Sequence, residues 1–433
     1  HLAASPWSSP TQFQTRFIGE AHVIEIEHVG SIQAEIDAAT DGDELIVPPG
    51  TYFENLSIPG INFILRSIDP LDDEIAEWTI IDGGGTEPVI ILSGTESPQC
   101  IIEGLTIQNG KGGVMGNHSL ATIRHNRILD NEVGVENVDG LIDGNLVANN
   151  FAEFGAGVRF CEGIIQNNLI VGNRSLAGCE RVSSSGGGYC NPHDPFSCSS
   201  LRCWDGKGAG LYSCNGMIVN NTIVRNQATG YGGGLAQCGG AIVNNILWEN
   251  QANNGPQIYA CAAPFFCNIQ GWGGVGEGTN QLPPLFVDPD NGDYRLSINS
   301  PCIDAGGGLY APSADFHRNL RPSDSLDLPR GDGSDFDIGA FEFQGEAVSG
   351  SPPELPVIKS PAITETGVSL FPLLQVGPFQ DLDDGDYHFA TQWQLDDGTG
   401  VDSLLFDTGA DLENLTSIQI GIDSALLFGK VYY

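Results

Sequence analysis

The chain has 433 residues, of which 55 are acidic and 17 are Lys or Arg, so its formal net charge is −38. No stretch carries a basic footprint, which excludes a nucleic-acid-binding protein and one held electrostatically on an anionic membrane. No apolar run approaches the roughly 18 residues that a bilayer-spanning helix needs. Hydrophobic residues make up 40% of the chain, enough for a core, and the 58 glycines indicate strands and turns rather than helices.

The N-terminal segment, residues 1–30, is predicted to be extended. The chain starts at His1 rather than Met, so we expect a mature product whose targeting peptide has been removed. Apolar residues at Phe13, Phe17, Ile24 and Ile26 suit a strand that could lie against the sheet edge of a neighbouring molecule.

A short helix is predicted next, over Ser31–Ala39, because apolar residues recur at helical spacing and Ser31 suits an N-cap. Asp43–Tyr52, which contains Val-Pro-Pro-Gly-Thr-Tyr, then opens a run of short strands. A helix followed by this motif resembles the start of many secreted parallel β-helix proteins, including polysaccharide lyases and hydrolases. In that arrangement the helix covers the edge of the first coil.

A repeat of 19 to 24 residues organises the middle of the chain, with one step of 53 residues that holds an insertion. Each unit has Asn, a short strand whose third position is apolar, and a second Asn five positions after the first. The units start at Asn126, Asn145, Asn168, Asn221 and Asn245, and their apolar residues are Ile128, Val147, Ile170, Ile223 and Leu247. This period is too short for a helical-hairpin repeat and indicates stacked β coils.

A column of cysteines supports the same register. Four cysteines each precede an Asn-column position by seven residues: Cys161, Cys214, Cys238, Cys261. Asn268, seven residues after Cys261, is predicted to continue the Asn column. We expect buried apolar and thiol stacks inside the coils and amide ladders at their corners. The predicted fold is all-β: a right-handed parallel β-helix of roughly a dozen coils over 31–343, with an N-terminal capping helix.

The composition also points to an oxidising compartment. The chain has 11 cysteines, and four crowd into the insertion as disulfide candidates: Cys179, Cys190, Cys198, Cys203. This density favours a secreted or surface-displayed protein, which we expect to be bacterial. Five sequons would permit N-glycosylation or arise by chance in an Asn-rich chain: Asn55, Asn117, Asn173, Asn220, Asn414.

Several motifs follow the coils: Pro284–Leu296, Ser300–Gly306, Arg318–Pro322 and Asp335–Glu342. This set resembles the choice-of-anchor Q segment that closes bacterial surface β-helix proteins, a resemblance that implies cell-surface display and no general catalytic role. Its charged residues are predicted to form a paired cap on the last coil, with a binding site as the alternative: Asp304, Asp315, Asp337, Glu342, Arg318, Arg321.

A linker and a second module are predicted at the C-terminal end. Residues 344–361 are rich in Pro, Gly and Ser, as linkers are. Short alternating strands follow within 362–433, around Trp393, Leu404–Phe406 and Ile418–Ile420. They resemble an incomplete fibronectin type III or immunoglobulin-like β-sandwich, a fold that usually has about seven strands.

Two groups of residues suit acid–base chemistry on a polysaccharide. β-Elimination needs a base and a group that neutralises the substrate carboxylate, and the candidates are His125, Arg127 and Glu136, with His118, Arg124, Lys111 and Asp139 as neighbours. The second group is Arg202, Asp205 and Lys207. A hydrolase would use a carboxylate pair such as Asp139 with Asp143, or Asp130 with Glu136. No known catalytic motif accompanies these residues, so the sequence favours a protein without an active site and leaves the enzyme open.

Calcium is the one cofactor that the sequence suggests. Two loops share the pattern Asp-x-Asp-x-Gly-Asp-Tyr, and a Gly-bent loop with alternate carboxylates suits a hard cation; a solvated turn is the alternative. The candidate ligands are Asp288, Asp290, Asp293, Asp381, Asp383 and Asp386.

The predicted function is that of an extracellular structural or adhesive surface protein that assembles through its terminal strands into a filament or surface layer. The alternative is a carbohydrate-active enzyme, a lyase or hydrolase, or a glycan-binding protein that uses a groove along the coils. Expected partners are further copies of the chain and glycans.

Overall fold

A computed structural model describes residues 22–26, 30–183, 198–274, 276–323, 330–345, 358–360, 372–376, 394–396, 404–407 and 416–419. The chain divides into two units, His1–Gly345 and Glu346–Tyr433. The first unit is a right-handed parallel β-solenoid of about nine turns, so the predicted fold class is confirmed. Each coil crosses three sheets, which we name A, B and C in the order the chain visits them. No helix in the described ranges is long and apolar enough to cross a membrane.

Short strands stack in parallel to form these sheets. In the described residues, sheet A consists of Val23–Glu25, Glu44–Val47, Ile64–Ser67, Ile101–Glu103, Thr122–Arg124, Leu141–Asp143, Ile164–Gln166, Met217–Val219, Ile242–Val243 and Pro264–Phe265. Sheet B consists of Gly50–Tyr52, Thr79–Asp82, Thr106–Gln108, Arg127–Leu129, Leu146–Ala148, Leu169–Val171, Thr222–Val224, Ile246–Trp248 and Asn268–Ile269. Sheet C consists of Leu56–Ile58, Ile90–Leu92, Val114–Ser119, Val135–Val138, Val158–Arg159, Leu211–Tyr212, Leu235–Ala236 and Ile258–Tyr259.

Smaller elements flank the three sheets. A parallel ladder at the turn from sheet B to sheet C consists of Phe151–Ala152, Arg174–Ser175 and Gln227–Ala228. In the described part of the insertion, Gly178–Ser183 pairs antiparallel with Cys198–Trp204. A hairpin joins Phe286–Asp288 to Asp293–Leu296. Two short helices, α1 at Ile32–Ala38 and α2 at Asp73–Trp78, complete the unit.

The core is a set of apolar columns inside the coils. Ile128, Val147, Ile170, Ile223 and Leu247 are each fully buried and pair in register from coil to coil, as the repeat predicts. Each coil alone cannot bury its apolar face, so stability comes from stacking on the next coil.

Amide ladders hold the corners. At the turn from sheet A to sheet B, each buried Asn side chain accepts a hydrogen bond from the preceding Asn backbone N–H; for example, Asn145 donates to Asn168 Oδ1 over 2.9 Å. The prediction for Asn268 is wrong. Cys267 occupies that ladder position, with its Sγ accepting from Asn245 N–H, because one residue fewer separates it from Cys261.

The N-terminal end of the stack is covered as predicted. Ser31 caps helix α1 by accepting a hydrogen bond from Ala34 N–H. The Gln33 side chain accepts from Ser57 N–H and donates to Ser57 O, so it occupies the edge of sheet C as a neighbouring strand would. Val23–Glu25 pairs with sheet A of its own chain and Ile26 is buried in the core, so this part of the N-terminal segment is not a strand donated to a neighbour.

The C-terminal part of the first unit differs from the prediction. We call residues 284–323 and 330–343 the cover segment. It leaves the stack and lies across the outer face of sheet B, where Ala340 N–H bonds to Thr222 Oγ1 and Gly339 N–H to Asn244 O. Its aromatic residues cover outward apolar residues of sheet B: Leu146, Leu169, Val171, Val224, Ile246 and Trp248. The solenoid therefore has fewer coils than the dozen predicted.

Five of the six residues of the predicted charged cluster lie together in the cover segment, whereas Arg318 does not join them and contacts His125 instead. Arg321 Nη1 lies 2.7 Å from Glu342 Oε2 and both side chains are fully buried. Asp337 accepts hydrogen bonds from the backbone N–H groups of Asp304 and Phe343, and Asp315 accepts from that of Glu342. The cluster holds the cover segment together beside sheet B rather than capping the last coil.

The second unit contains antiparallel strands where the structure describes it. One sheet consists of Ile358–Ser360, Leu373–Val376 and Ser417–Gln419, and a hairpin joins Gln394–Asp396 to Leu404–Asp407. The linker and the fibronectin-like module stay predictions.

Candidate functional site

The predicted catalytic residues His125, Arg127 and Glu136 do not converge. His125 lies in the turn from sheet A to sheet B, and Arg127 is at the start of the next sheet B strand. Glu136 is on the outer face of sheet C, where its Oε2 accepts a hydrogen bond from Arg159 Nη2 over 2.7 Å. The ten residues between His125 and Glu136 take the chain through sheet B and the turn into sheet C, so the two side chains lie on different faces of the coil.

The neighbouring candidates have local partners instead. His118, near the end of a sheet C strand, has its Nδ1 2.9 Å from Oδ2 of Asp139, which follows the next strand of that sheet. Arg124 pairs with Glu103 on the outer face of sheet A. Asp143 accepts from Asn167 Nδ2. Asp130 and Lys111 are exposed turn residues.

His125 and Arg127 do line one cleft. It has a volume of about 360 Å³ and lies between sheet B, the connection before helix α2 and the cover segment. Polar and charged residues on its walls include Asp73, Asp293, Arg295, His317 and Arg318, and its apolar walls are Leu146, Leu169, Tyr294, Phe316 and Phe341.

The protonation state of His125 follows from its neighbours. Its Nδ1 lies 3.1 Å from Arg318 Nη2, and an arginine can only donate, so Nδ1 accepts and the ring hydrogen resides on Nε2. Burial, together with the Arg318 and Arg124 guanidinium groups, lowers the pKa of His125 to about 3. A histidine with this pKa is neutral at physiological pH and is a weak general base.

A second surface lies on the outer face of sheet C. Arg159, Tyr212, Ala236 and Tyr259 form one outward column on four successive coils. A parallel loop ladder beside it brings in Phe154, Lys207, Tyr231 and Asn254. We call the half-buried rings here the aromatic strip: Phe154, Phe160, Tyr212, Tyr231, Tyr259.

Ring contacts order the aromatic strip. The Tyr212 ring centroid lies 5.5 Å from that of Phe154 and 5.6 Å from that of Phe160. The Tyr231 and Tyr259 centroids are 4.5 Å apart. Cations lie over the rings: the Arg159 guanidinium is 5.3 Å from the Phe154 centroid, and Lys207 Nζ is 5.9 Å from that of Tyr231.

Sequence reasoning missed the aromatic strip, although a signal for it exists. Its outward column lies two residues before each cysteine of the predicted cysteine column, so Tyr212 and Tyr259 share a face with Arg159 by register alone. Of the second catalytic group, Lys207 belongs to the loop ladder and Asp205 is an exposed neighbour. The Arg202 side chain lies outside the described residues.

The first predicted calcium loop does not gather its carboxylates. Asp288 accepts from Asn291 Nδ2, Asp290 pairs with Arg225 Nη2 at 2.8 Å, and both carboxylate oxygens of Asp293 contact Arg295. No group of three or more metal-ligating side chains occurs in the part of the chain that the structure describes. The second loop, with Asp381, Asp383 and Asp386, lies outside it.

The cysteine column is buried, as predicted. Cys161, Cys214 and Cys238 are fully buried and Cys261 is half-buried, with the Cys261 Sγ accepting from Cys238 N–H. Burial raises the pKa of Cys161 and Cys238 well above the usual thiol value, so these thiols are inert. In the insertion, the hairpin register sets Cys179 opposite Cys203 and Ser183 opposite Cys198; Cys190 lies outside the described residues.

Two of the predicted glycosylation sites are inaccessible in the folded chain. Asn173 and Asn220 are fully buried, and their amide nitrogens donate to Val147 O and Asp337 O, because both belong to the coil corners. Asn55 and Asn117 are exposed. Asn414 lies outside the described residues.

Comparisons with known proteins give structural likenesses but no sequence family. No protein-family model matches the chain, so neither a choice-of-anchor Q segment nor a fibronectin type III module has support from a family match. No curated protein matches it. Among solved structures, the pectate lyase Pel9A is similar over 74% of this chain and 96% of that chain, with a TM-score of 0.37 and 12% sequence identity.

Proposed function

We propose that this protein is an extracellular adhesive β-helix that binds a glycan chain along the outer face of sheet C. The aromatic strip is the observation that carries the proposal, since it presents half-buried rings on successive coils of one face. Aromatic faces carry negative electrostatic potential and attract the polarised C–H groups of a pyranose face.

The spacing of the strip suits an extended ligand. Tyr212 and Tyr259 are two coils apart, or about 9.6 Å at the usual inter-strand distance, and the fully buried Ala236 lies between them. Lys207 beside the Tyr231 ring supplies a hydrogen-bond donor for sugar hydroxyls. A chain laid along the rod would therefore meet rings on successive coils with a donor beside them.

Three features favour binding over catalysis. The pKa of His125 is too low for a general base at neutral pH. Glu136 is held in an ion pair with Arg159, and Asp139 is engaged by His118. Adhesion is proposed for the side of the rod rather than its N-terminal end because helix α1 and the Val23–Glu25 strand cover the first coil.

Glycan binding is tested with the full chain on an array of neutral and acidic polysaccharides, followed by affinity electrophoresis on those that bind. We expect Tyr259→Ala and Tyr212→Ala each to weaken binding roughly two- to tenfold, the loss that corresponds to one aromatic contact. Phe265→Ala is the matched control, because Phe265 lies on the sheet A strand that directly follows Tyr259 and is 43% exposed. Equal binding by all three variants, or no binding by the wild type, would refute the proposal.

A further inference from the structure

The cleft beside sheet B differs in charge from the rest of the molecule. Three arginines line it, Arg127, Arg295 and Arg318, although the whole chain has only 17 Lys and Arg against 55 Asp and Glu. Two carboxylates line it, Asp73 and Asp293. Asp293 is neutralised by Arg295 through two hydrogen bonds of 2.9 and 2.6 Å, which leaves Arg127 and Arg318 as the cations that face the cleft.

In the described residues, Arg127 has one long and largely exposed carboxylate partner, and Asp143 and Glu103 act on Arg318 without forming an ion pair with it. The Arg127 Nη2 atom is 3.8 Å from Glu77 Oε2, a side chain that is 60% exposed. The Arg127 Nε atom is buried and has no hydrogen-bond partner. Arg318 donates to His125, which is neutral and therefore does not balance its charge. Arg127 therefore keeps donor capacity that an anion in the cleft would use.

The remaining walls are apolar. Leu146 and Leu169 project from sheet B, and Phe316 and Phe341 of the cover segment pack against them. A volume of about 360 Å³ is at the lower end of the range for small-molecule sites. The cleft therefore combines arginine hydrogen-bond donors with an apolar surface against which a small, partly apolar ligand can pack.

We infer that this cleft binds a small carboxylate ligand, with its carboxylate between Arg127 and Arg318 and its ring or chain against Leu146, Leu169 and Phe341. The carboxylate suits arginine because the guanidinium can donate two parallel hydrogen bonds to it. This site lies beside sheet B, away from the aromatic strip, so the inference goes beyond glycan binding on sheet C and does not rest on it.

Acidic sugars and aromatic carboxylates both carry a carboxylate on a compact body. Titration calorimetry on the full chain distinguishes which of the two classes binds. Galacturonate and glucuronate represent acidic sugars, and phenylacetate represents an aromatic carboxylate. We expect at least one class to saturate the protein with a 1:1 stoichiometry and its methyl ester to bind at least tenfold more weakly. The class that binds more tightly shows whether a sugar ring or an aromatic ring packs against the apolar walls of the cleft.

Variants localise the binding. Arg127→Gln should weaken the carboxylate at least tenfold, and Arg127→Lys should restore part of the affinity because it keeps the charge but not the paired donors. Arg174→Gln, an exposed arginine of a nearby coil, is the control and should bind as the wild type does. As a second readout, the ¹⁵N signals of the His125 ring should shift on ligand addition in the wild type and not in Arg127→Gln.

Three results would overturn the inference. One is equal affinity of the wild type and Arg127→Gln for the same carboxylate. Another is equal affinity for the carboxylate and its ester. The third is saturation by sulfate or phosphate only, which would assign the cleft to an inorganic anion.

Discussion

At the scale of single residues, burial decides which charges can exist. Asp337 and Glu342 share a buried site with one arginine, Arg321. Burial and the neighbouring Glu342 carboxylate raise the pKa of Asp337 well above its ordinary value of 3.8. The folded cover segment therefore holds a proton that the unfolded chain would release at the same pH.

The pH dependence of stability should reveal this proton. Because the pKa is raised on folding, its contribution is fully present below about pH 4 and is lost as the pH rises towards the folded value, by at most about 1.4 kcal/mol per pH unit. We expect the difference in unfolding free energy between wild type and Asp337→Asn, measured in urea, to shift against the wild type from pH 4.5 to 7.5. Asp130→Asn, an exposed turn residue at φ 53°, is the control. Parallel profiles for wild type and Asp337→Asn would contradict this prediction.

At the scale of elements, the solenoid is held at its corners by side chains that replace backbone partners. Asn168 Nδ2 donates to Ile142 O over 2.8 Å, and Asn168 Oδ1 accepts from Asn145 N–H. All three residues are fully buried, so water cannot take over these hydrogen bonds. Each amide therefore ties together two neighbouring coils.

Removing one amide should be costly. Asn168→Ala leaves the Asn145 N–H and the Ile142 carbonyl buried without that partner, and at about 1–3 kcal/mol for each group we expect a loss of roughly 2–6 kcal/mol in unfolding free energy. Chemical denaturation followed by circular dichroism measures it. Asn149→Gly is the control, because Asn149 is exposed at φ 57° and glycine, as Gly172, occupies the equivalent position of the next coil. A loss no larger than that of the control would argue against the ladder as a stabilising element.

At the scale of the first unit, the cover segment buries the apolar outer face of sheet B. Strands such as Leu169–Val171 and Ile246–Trp248 are apolar on both faces, whereas a solenoid sheet with a solvated outer face has alternating residues. Phe341, Tyr294 and Phe316 supply the second apolar layer. The same packing forms one wall of the cleft at His125, so stability and the proposed carboxylate site depend on one segment.

Phe341→Ala tests this dependence. Phe341 is 5% exposed, and its truncation should cost about 3–5 kcal/mol in local stability of the cover segment. We expect faster limited proteolysis between residues 284 and 343 and increased binding of an apolar dye, with the far-ultraviolet circular dichroism of the solenoid unchanged. Phe151→Ala, at a side chain that is 51% exposed, should leave both unchanged. Proteolysis at the wild-type rate would show that the segment is held by other contacts.

The sequence by itself determined the solenoid, because in a stack of coils the residues that repeat along the chain are also the residues that touch. Ile170, Asn168 and Cys214 could be assigned to columns from spacing alone, and Ser31 marked the start of helix α1 through its local capping hydrogen bond. Tertiary structure decided the contacts between residues that do not belong to the repeat. Arg318 meets His125 across 193 residues, and the cover segment lies on sheet B because apolar area is buried wherever a complementary face exists. The cleft and its charges follow from that packing, which no spacing along the chain encodes.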